Sequence, residues 1–345
     1  MSDHQQQLMT TAEALVAEGK GILAADESNS TMTKRLEAVG VDSTEETRRS
    51  SRELLFTTDG AAEFISGVIL YDETIRQATN DGTPLPEALA GRGVIPGIKV
   101  DTGAKELAGA PGEKVTEGLD GLRERLAEYR DLGARFAKWR AVIAIGDGIP
   151  TRHCIEVNAH ALARYAALCQ EAGIVPIVEP EVLMDGDHTI ERSYETTAAT
   201  LHEVFGELFR QRVTLEGMLL KPNMVLAGYE CAKQAPVDEV AHTTLGCLKK
   251  VVPAAVPGIV FLSGGQSDEV ATAHLNAMNA IGGTPWELSF SYGRALQAAP
   301  LAAWGGDASN AEAARASYHH RARCNGAARL GEYSDQMEQE LAPAG

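Results

Sequence analysis

The chain lacks the patterns that mark several simple function classes. Its 345 residues carry only 31 Lys and Arg against 48 Asp and Glu, a net charge of -17. A general nucleic-acid binder shows a basic stripe, so no nucleic-acid partner is expected. A small anionic substrate stays allowed, because a local basic cluster can oppose the global field. Only five cysteines occur, at 154, 169, 231, 247 and 324, and no Cys-x-x-Cys pair is among them. Their wide spacing and odd number exclude a disulfide framework and predict reduced thiols in a cytoplasmic protein. No apolar run is long enough to cross a bilayer, so no membrane partner is expected; the longest, Val251 to Leu262, is interrupted by Pro253 and Pro257. The start, Met1-Ser2-Asp3-His4-Gln5-Gln6-Gln7, is polar and unlike a signal peptide. The dinucleotide fingerprint Gly-x-Gly-x-x-Gly after the first strand and the Gly-x-x-x-x-Gly-Lys-Ser/Thr loop are both missing. His153, His160 and His188 lack the spacing of a His-Glu-x-x-His zinc motif, and His319-His320 is expected to face solvent. No metal site and no cofactor are therefore expected.

Short apolar runs are present at intervals. They cover Gly21–Asp26, Phe64–Leu70, Val94–Val100, Phe136–Ile143, Val175–Leu183, Gly217–Met224, Gly258–Gly265 and Trp286–Gly293. Several are continuously apolar, which suits parallel strands covered on both faces. Helical faces lie between them: Leu119, Leu122, Leu126, Tyr129 and Leu132, then Ile155, Ala159, Leu162, Ala166 and Cys169. Ser43-Thr44-Glu45-Glu46 offers a capping box. Alternating strands and helices imply right-handed βαβ units. Eight strands without a composition break favour one closed (β/α)8 barrel over residues 1–345, with a doubly wound sheet as the alternative. Residues 1–10 are expected to form a loose arm, and 334–345 a mobile tail.

Three lysines sit inside apolar runs: Lys99 in Gly97-Ile98-Lys99-Val100, Lys138 in Phe136-Ala137-Lys138-Trp139-Arg140, and Lys221 in Leu219-Leu220-Lys221-Pro222-Asn223. Lysine is almost never fully buried unless paired. Desolvation lowers an amine pKa, and a deprotonated amine can form a Schiff base with a carbonyl. Barrel enzymes carry their catalytic groups at the C-terminal ends of strands. Those ends supply Asp26, Lys99, Lys138 with Arg140, Glu179 with Glu181, Lys221, Ser263-Gly264-Gly265 and Gly293-Arg294.

Each candidate has a plainer alternative. Lys221 could be a structural ion pair, since such pairs also perturb pKa. Glu179 and Glu181 flank Pro180 at period two and share a side. One of them can keep its proton as an acid while the other stays ionised, or both can simply neutralise the lysines. Asp26 is a candidate general base or a helix N-cap, a role Ser28 could equally take. The glycine turns after the last two strands fit a phosphate held by backbone N–H groups, with Arg294 adding a bidentate charge, or they are ordinary turns.

Eight co-linear segments carry a resemblance. They are Gly19–Ser28, Gly67–Leu70, Gly97–Asp101, Phe136–Arg140, Gly173–Glu181, Leu219–Met224, Phe261–Ser267 and Phe290–Gln297. In family order they resemble the class I (Schiff-base) fructose-1,6-bisphosphate aldolases. The resemblance implies a metal-free lyase of glycolysis and gluconeogenesis, acting on small sugar phosphates as a homotetramer. It implies that Lys221 forms the iminium and Glu179 shuttles protons; Glu181, from its place beside Glu179, is expected among the catalytic residues. Asp26 takes the C4 hydroxyl proton with Lys138 in support. Lys99 and Arg140 lie around the substrate. Ser263, Gly264, Gly293 and Arg294 hold one phosphate, and Ser28, Thr31 and Arg35 the other. Where the family reads Thr-Gly this chain reads Asn29-Ser30. Many members end in a tyrosine that helps protonate the enamine. Here the sequence ends Leu341-Ala342-Pro343-Ala344-Gly345 and its last tyrosine is Tyr333, so another group, such as Tyr333 or a carboxylate, is expected to serve, or that step to be slower.

Overall fold

Eight parallel strands close on themselves in the computed structural model, which describes residues 3–340. The described residues hold ten strands, eight of them in the barrel: β1 (Gly21–Ala25), β2 (Ile65–Leu70), β3 (Ile95–Lys99), β4 (Gly103–Glu106), β5 (Lys114–Glu117), β6 (Phe136–Ile143), β7 (Val175–Val182), β8 (Leu219–Leu220), β9 (Gly258–Phe261) and β10 (Glu287–Tyr292). Neighbours around the barrel run β1, β10, β9, β8, β7, β6, β3, β2 and back to β1. All eight apolar runs read from the sequence become barrel strands. Helices follow most of them, as in a TIM barrel. The inner face buries Ile22, Ile69, Phe136, Ile177, Leu219 and Val260; the outer residues pack under the helices.

β4 and β5 form a separate antiparallel hairpin that the sequence reading missed. Lys105, Glu106, Lys114 and Glu117 are exposed there, so no apolar run marks it. β8 is only two residues long. Pro222 lacks an N–H for the ladder. The Asn223 side chain fills the gap: its Oδ1 accepts from Val182 N–H at 3.0 Å, and its amide donates to Thr197 Oγ1 at 3.1 Å.

Several expectations are corrected. Residues 3–10 are no loose arm: a helix spans Asp3–Leu15 and buries Leu8, Ala12 and Leu15 against the N-terminal end of the barrel, while residues 1–2 lie outside the described residues. Those three recur at helical spacing, but the polar residues around them hide the stripe. At the other end, Asp335–Glu338 is a short helix whose Glu338 pairs with Arg321, while 341–345 lie outside the described residues. The box at the helix Glu45–Phe56 uses Thr44 as cap and Thr47 as its reciprocal partner, not Ser43 and Glu46. His320 does not face solvent; it is buried on the helix Ala311–Leu330. No helix among the described residues is long and apolar enough to cross a membrane.

Leu8 tests the N-terminal plug, since it is 2% exposed. Leu8→Ala should cost about 2–5 kcal/mol in urea unfolding, the usual range for a buried leucine. A change within about 0.5 kcal/mol, the surface value, would return this segment to the status of an arm.

Candidate active site

Barrel strands direct the residues at their C-terminal ends toward one mouth. Every strand-end candidate, together with Ser28, Thr31 and Arg35, lines a single cavity there of about 590 Å³. Asp26, Ser28, Thr31 and Arg35 arrive from the end of β1 and the helix after it. Lys99, Lys138, Arg140, Glu179, Glu181 and Lys221 come from β3, β6, β7 and the residue after β8. Ser263, Gly264, Gly293 and Arg294 follow β9 and β10. Six cationic side chains (Arg35, Lys99, Lys138, Arg140, Lys221, Arg294) meet five carboxylates (Asp26, Glu27, Glu179, Glu181, Asp185) in the lining. The cavity therefore does not share the chain's net charge of -17, and it can admit an anion.

Strand register sets the inner contacts. Lys99 lies opposite Lys138, and Arg140 opposite Glu179. Lys138 Nζ sits 2.6 Å from Asp26 Oδ2 and 3.1 Å from Glu179 Oε2. The other Glu179 oxygen faces Lys221 Nζ at 3.2 Å. The side chains of Lys138, Glu179 and Lys221 are each no more than 5% exposed. Burial is the largest single influence on Asp26, Glu179 and Lys138, and it opposes ionisation of all three. The surrounding charges overcome it together. Lys138, Lys221 and Lys99 hold Asp26 well below the usual carboxylate range. Lys138, Lys221 and Arg140 also lower Glu179. Asp26, Glu179 and Asp101 raise Lys138 above its ordinary value.

Two expectations change as a result. Desolvation does not deprotonate Lys138; two carboxylates lock it as an ammonium. The lysines and Arg140 around Glu179 favour its ionised form, against the alternative in which it is the carboxyl that keeps its proton. Lys221 is the less heavily paired of the two buried lysines, with Glu179 as its one ion-pair partner among the described residues. Its backbone N–H donates to Val178 C=O at 2.8 Å, which fixes it at the strand end.

The rim is built from turns and helix starts. Gly264 has φ +59, and a Cβ there would lie 2.4 Å from Met184 Cε, so the close turn needs glycine. Tyr229 Oη donates to Gly264 C=O at 2.7 Å. Gly293 caps the helix Arg294–Trp304, leaving free N–H groups at the mouth. Across the site Ser28 caps the helix Asn29–Glu37 and accepts from Thr31 N–H at 3.4 Å. Arg35 pairs with Glu27, and Asn29 donates to Glu73 Oε2 at 3.0 Å. Both helix starts can hold a phosphate. Tyr333 is absent from the lining; its hydroxyl donates to Glu338 Oε1 at 2.8 Å.

Sequence reading missed two supporting acids. Asp101 pairs with Lys99 at 3.5 Å and accepts Arg140 N–H at 3.2 Å. The alternation Lys99-Val100-Asp101 carried that signal. Buried Glu27 accepts from Gln297 Nε2 at 2.7 Å as well as from Arg35, a contact across 270 residues that no local pattern shows. Glu181 pairs with Arg140, so its carboxylate supports a cation that faces the cavity.

Comparison with known proteins agrees with this geometry. A family model described as fructose-bisphosphate aldolase class-I matches residues 7–344. A probable fructose-bisphosphate aldolase class 1 of Xanthomonas campestris is 61% identical over 329 residues, covering 95% of this chain and 98% of the relative. A cytosolic fructose-bisphosphate aldolase of Arabidopsis thaliana is 52% identical over 96% of this chain and 93% of its own. A solved fructose-bisphosphate aldolase of Plasmodium falciparum superposes with a TM-score of 0.96 at 49% identity, covering 97% of each chain. A lysine-centred barrel mouth and this breadth of match lead to one conclusion: the chain belongs to the class I fructose-bisphosphate aldolase family.

Proposed function

We propose that this chain cleaves fructose 1,6-bisphosphate reversibly into dihydroxyacetone phosphate and glyceraldehyde 3-phosphate through an iminium on Lys221. The observation that carries the reading is the Lys221–Glu179–Lys138–Asp26 chain of contacts at the cavity floor. Lys221 must lose a proton before it attacks the C2 carbonyl. Glu179 Oε1, ionised and 3.2 Å away, is within reach to accept it. The protonated Glu179 then returns that proton to the departing carbinolamine hydroxyl, and water leaves. The cation so formed draws in the electron pair released when the C3–C4 bond breaks. Asp26, ionised beside Lys138, accepts the C4 hydroxyl proton. Glyceraldehyde 3-phosphate departs, the enamine is protonated at C3, and hydrolysis frees dihydroxyacetone phosphate and Lys221.

In this reading Lys99, Arg140 and Glu181 surround the substrate. Ser263, Gly264, Gly293 and Arg294 take one phosphate; Ser28, Thr31 and Arg35 take the other. The helix starts at Gly293 and Ser28 support that division. We extend the reading to a cytoplasmic homotetramer. Phe209, 83% exposed, offers apolar surface to another copy, and the cytosolic Arabidopsis relative fits the compartment.

The direct test is cleavage of fructose 1,6-bisphosphate after long dialysis against EDTA, with triose release followed in a coupled assay. Full turnover is expected because an iminium is the electron sink. Loss of turnover that zinc restores would overturn the lysine mechanism.

Lys138→Met probes the electrostatics. It removes a cation that lowers the pKa of both Asp26 and Glu179, so both should rise. These bases would then be lost at higher pH as the medium is acidified. The acid limb of the kcat/KM profile should move upward, with a fall of roughly 10²-fold or more in rate. An unmoved limb would show that Lys138 does not set these ionisations.

A further inference from the structure

Far along the chain from the catalytic lysines, a histidine, a cysteine and a glutamate converge. His320 and Cys324 stand one turn apart on the helix Ala311–Leu330, and Glu338 comes from the short helix Asp335–Glu338. Cys324 Sγ lies 3.6 Å from His320 Nε2, and His320 Nε2 lies 3.4 Å from Glu338 Oε2. The three ligand atoms all fall within 4.8 Å of one another. The His–carboxylate separation exceeds the usual range of about 2.7–3.2 Å for a hydrogen bond from nitrogen to oxygen. It is a long direct contact that also matches the spacing of two ligands on one ion. Tetrahedral zinc with bonds of about 2.0–2.3 Å spaces its ligands roughly 3.3–3.7 Å apart.

We propose that His320, Cys324 and Glu338 form a binding site for one zinc-like divalent cation that ties the helix Asp335–Glu338 to the helix Ala311–Leu330. The donor set of one thiolate, one imidazole and one carboxylate matches a borderline-soft ion. Binding forms the sulfur–metal bond and releases the thiol proton to solvent. The supporting contacts are those a ligating carboxylate needs. Tyr333 Oη donates to Glu338 Oε1 at 2.8 Å, and Arg321 Nη1 donates to both Glu338 oxygens at 2.6 and 2.5 Å. Arg321 is itself held by Thr272 Oγ1 at 2.8 Å. His320 also borders an open cavity of about 570 Å³, which gives the ion an entry path and room for a water as fourth ligand. None of the three residues lines the catalytic cavity, so the ion is structural and cleavage proceeds without it.

The test uses the full-length chain, stripped with EDTA and titrated with zinc by calorimetry. Cobalt(II) serves as a second probe, read by thiolate-to-cobalt absorption in the near ultraviolet. One equivalent per chain is expected, with the absorption band present. Losing a hydrogen-bond partner of a metal ligand alone costs about 10–100-fold in affinity, so Cys324→Ser and His320→Gln should each cost at least that. Cys231→Ser, which alters a half-buried thiol elsewhere, should leave binding unchanged. Fructose-bisphosphate cleavage at the wild-type rate verifies that each variant is folded. If Cys324→Ser does not fold, Glu338→Gln decides the question by the same measurements. No saturable binding in the unaltered chain would overturn the site. So would an unchanged cobalt band in Cys324→Ser, or its loss in Cys231→Ser.

Discussion

Glu179 is buried with one oxygen toward Lys138 and the other toward Lys221, and the chemistry of the barrel depends on that bridge. Removing one partner of such a buried pair typically costs about 3–5 kcal/mol, because an uncompensated charge remains. Replacing the whole group by apolar residues would often be neutral or stabilising. Stability therefore does not explain why the charges are there. Their arrangement does something that apolar packing cannot: it favours the ionised forms of two carboxylates and the protonated form of one lysine, with a base within reach of a second lysine.

The barrel supplies the rigidity this requires. Parallel register fixes Lys138, Glu179 and Lys221 on adjacent strands or just past them, so their separations follow from backbone geometry. The opposite end is closed by Leu8, Ala12 and Leu15, which pack on the inner residues of the strands. The N-terminal helix is thus part of the core that holds the catalytic end in register.

Much of this was legible in the sequence. Continuous apolar runs announced strands covered on both faces. Lysines inside those runs pointed to a candidate reaction centre, because lysine is almost never fully buried without a partner. What stayed hidden had physical reasons. The ionisation of Lys138 depends on Asp26, 112 positions away in sequence and 2.6 Å away in space. Glu27 meets Gln297 only after the barrel closes. The β4–β5 hairpin is polar and exposed and leaves no apolar period. His320 stands in an Arg-rich stretch that reads as a solvated face, yet Glu338 folds over it.

The central claim is that Lys221, and neither Lys138 nor Lys99, attacks the substrate. Lys138 is held by two carboxylates and Lys99 is paired with Asp101, whereas Lys221 has Glu179 as its one ion-pair partner among the described residues, within reach to take its proton. Borohydride reduction in the presence of dihydroxyacetone phosphate, followed by peptide mass mapping, reads the covalent residue directly. The account predicts the reduced triose adduct on the peptide containing Lys221, with Lys99 and Lys138 unmodified. An adduct on Lys138 or Lys99, or none at all during active turnover, would contradict it.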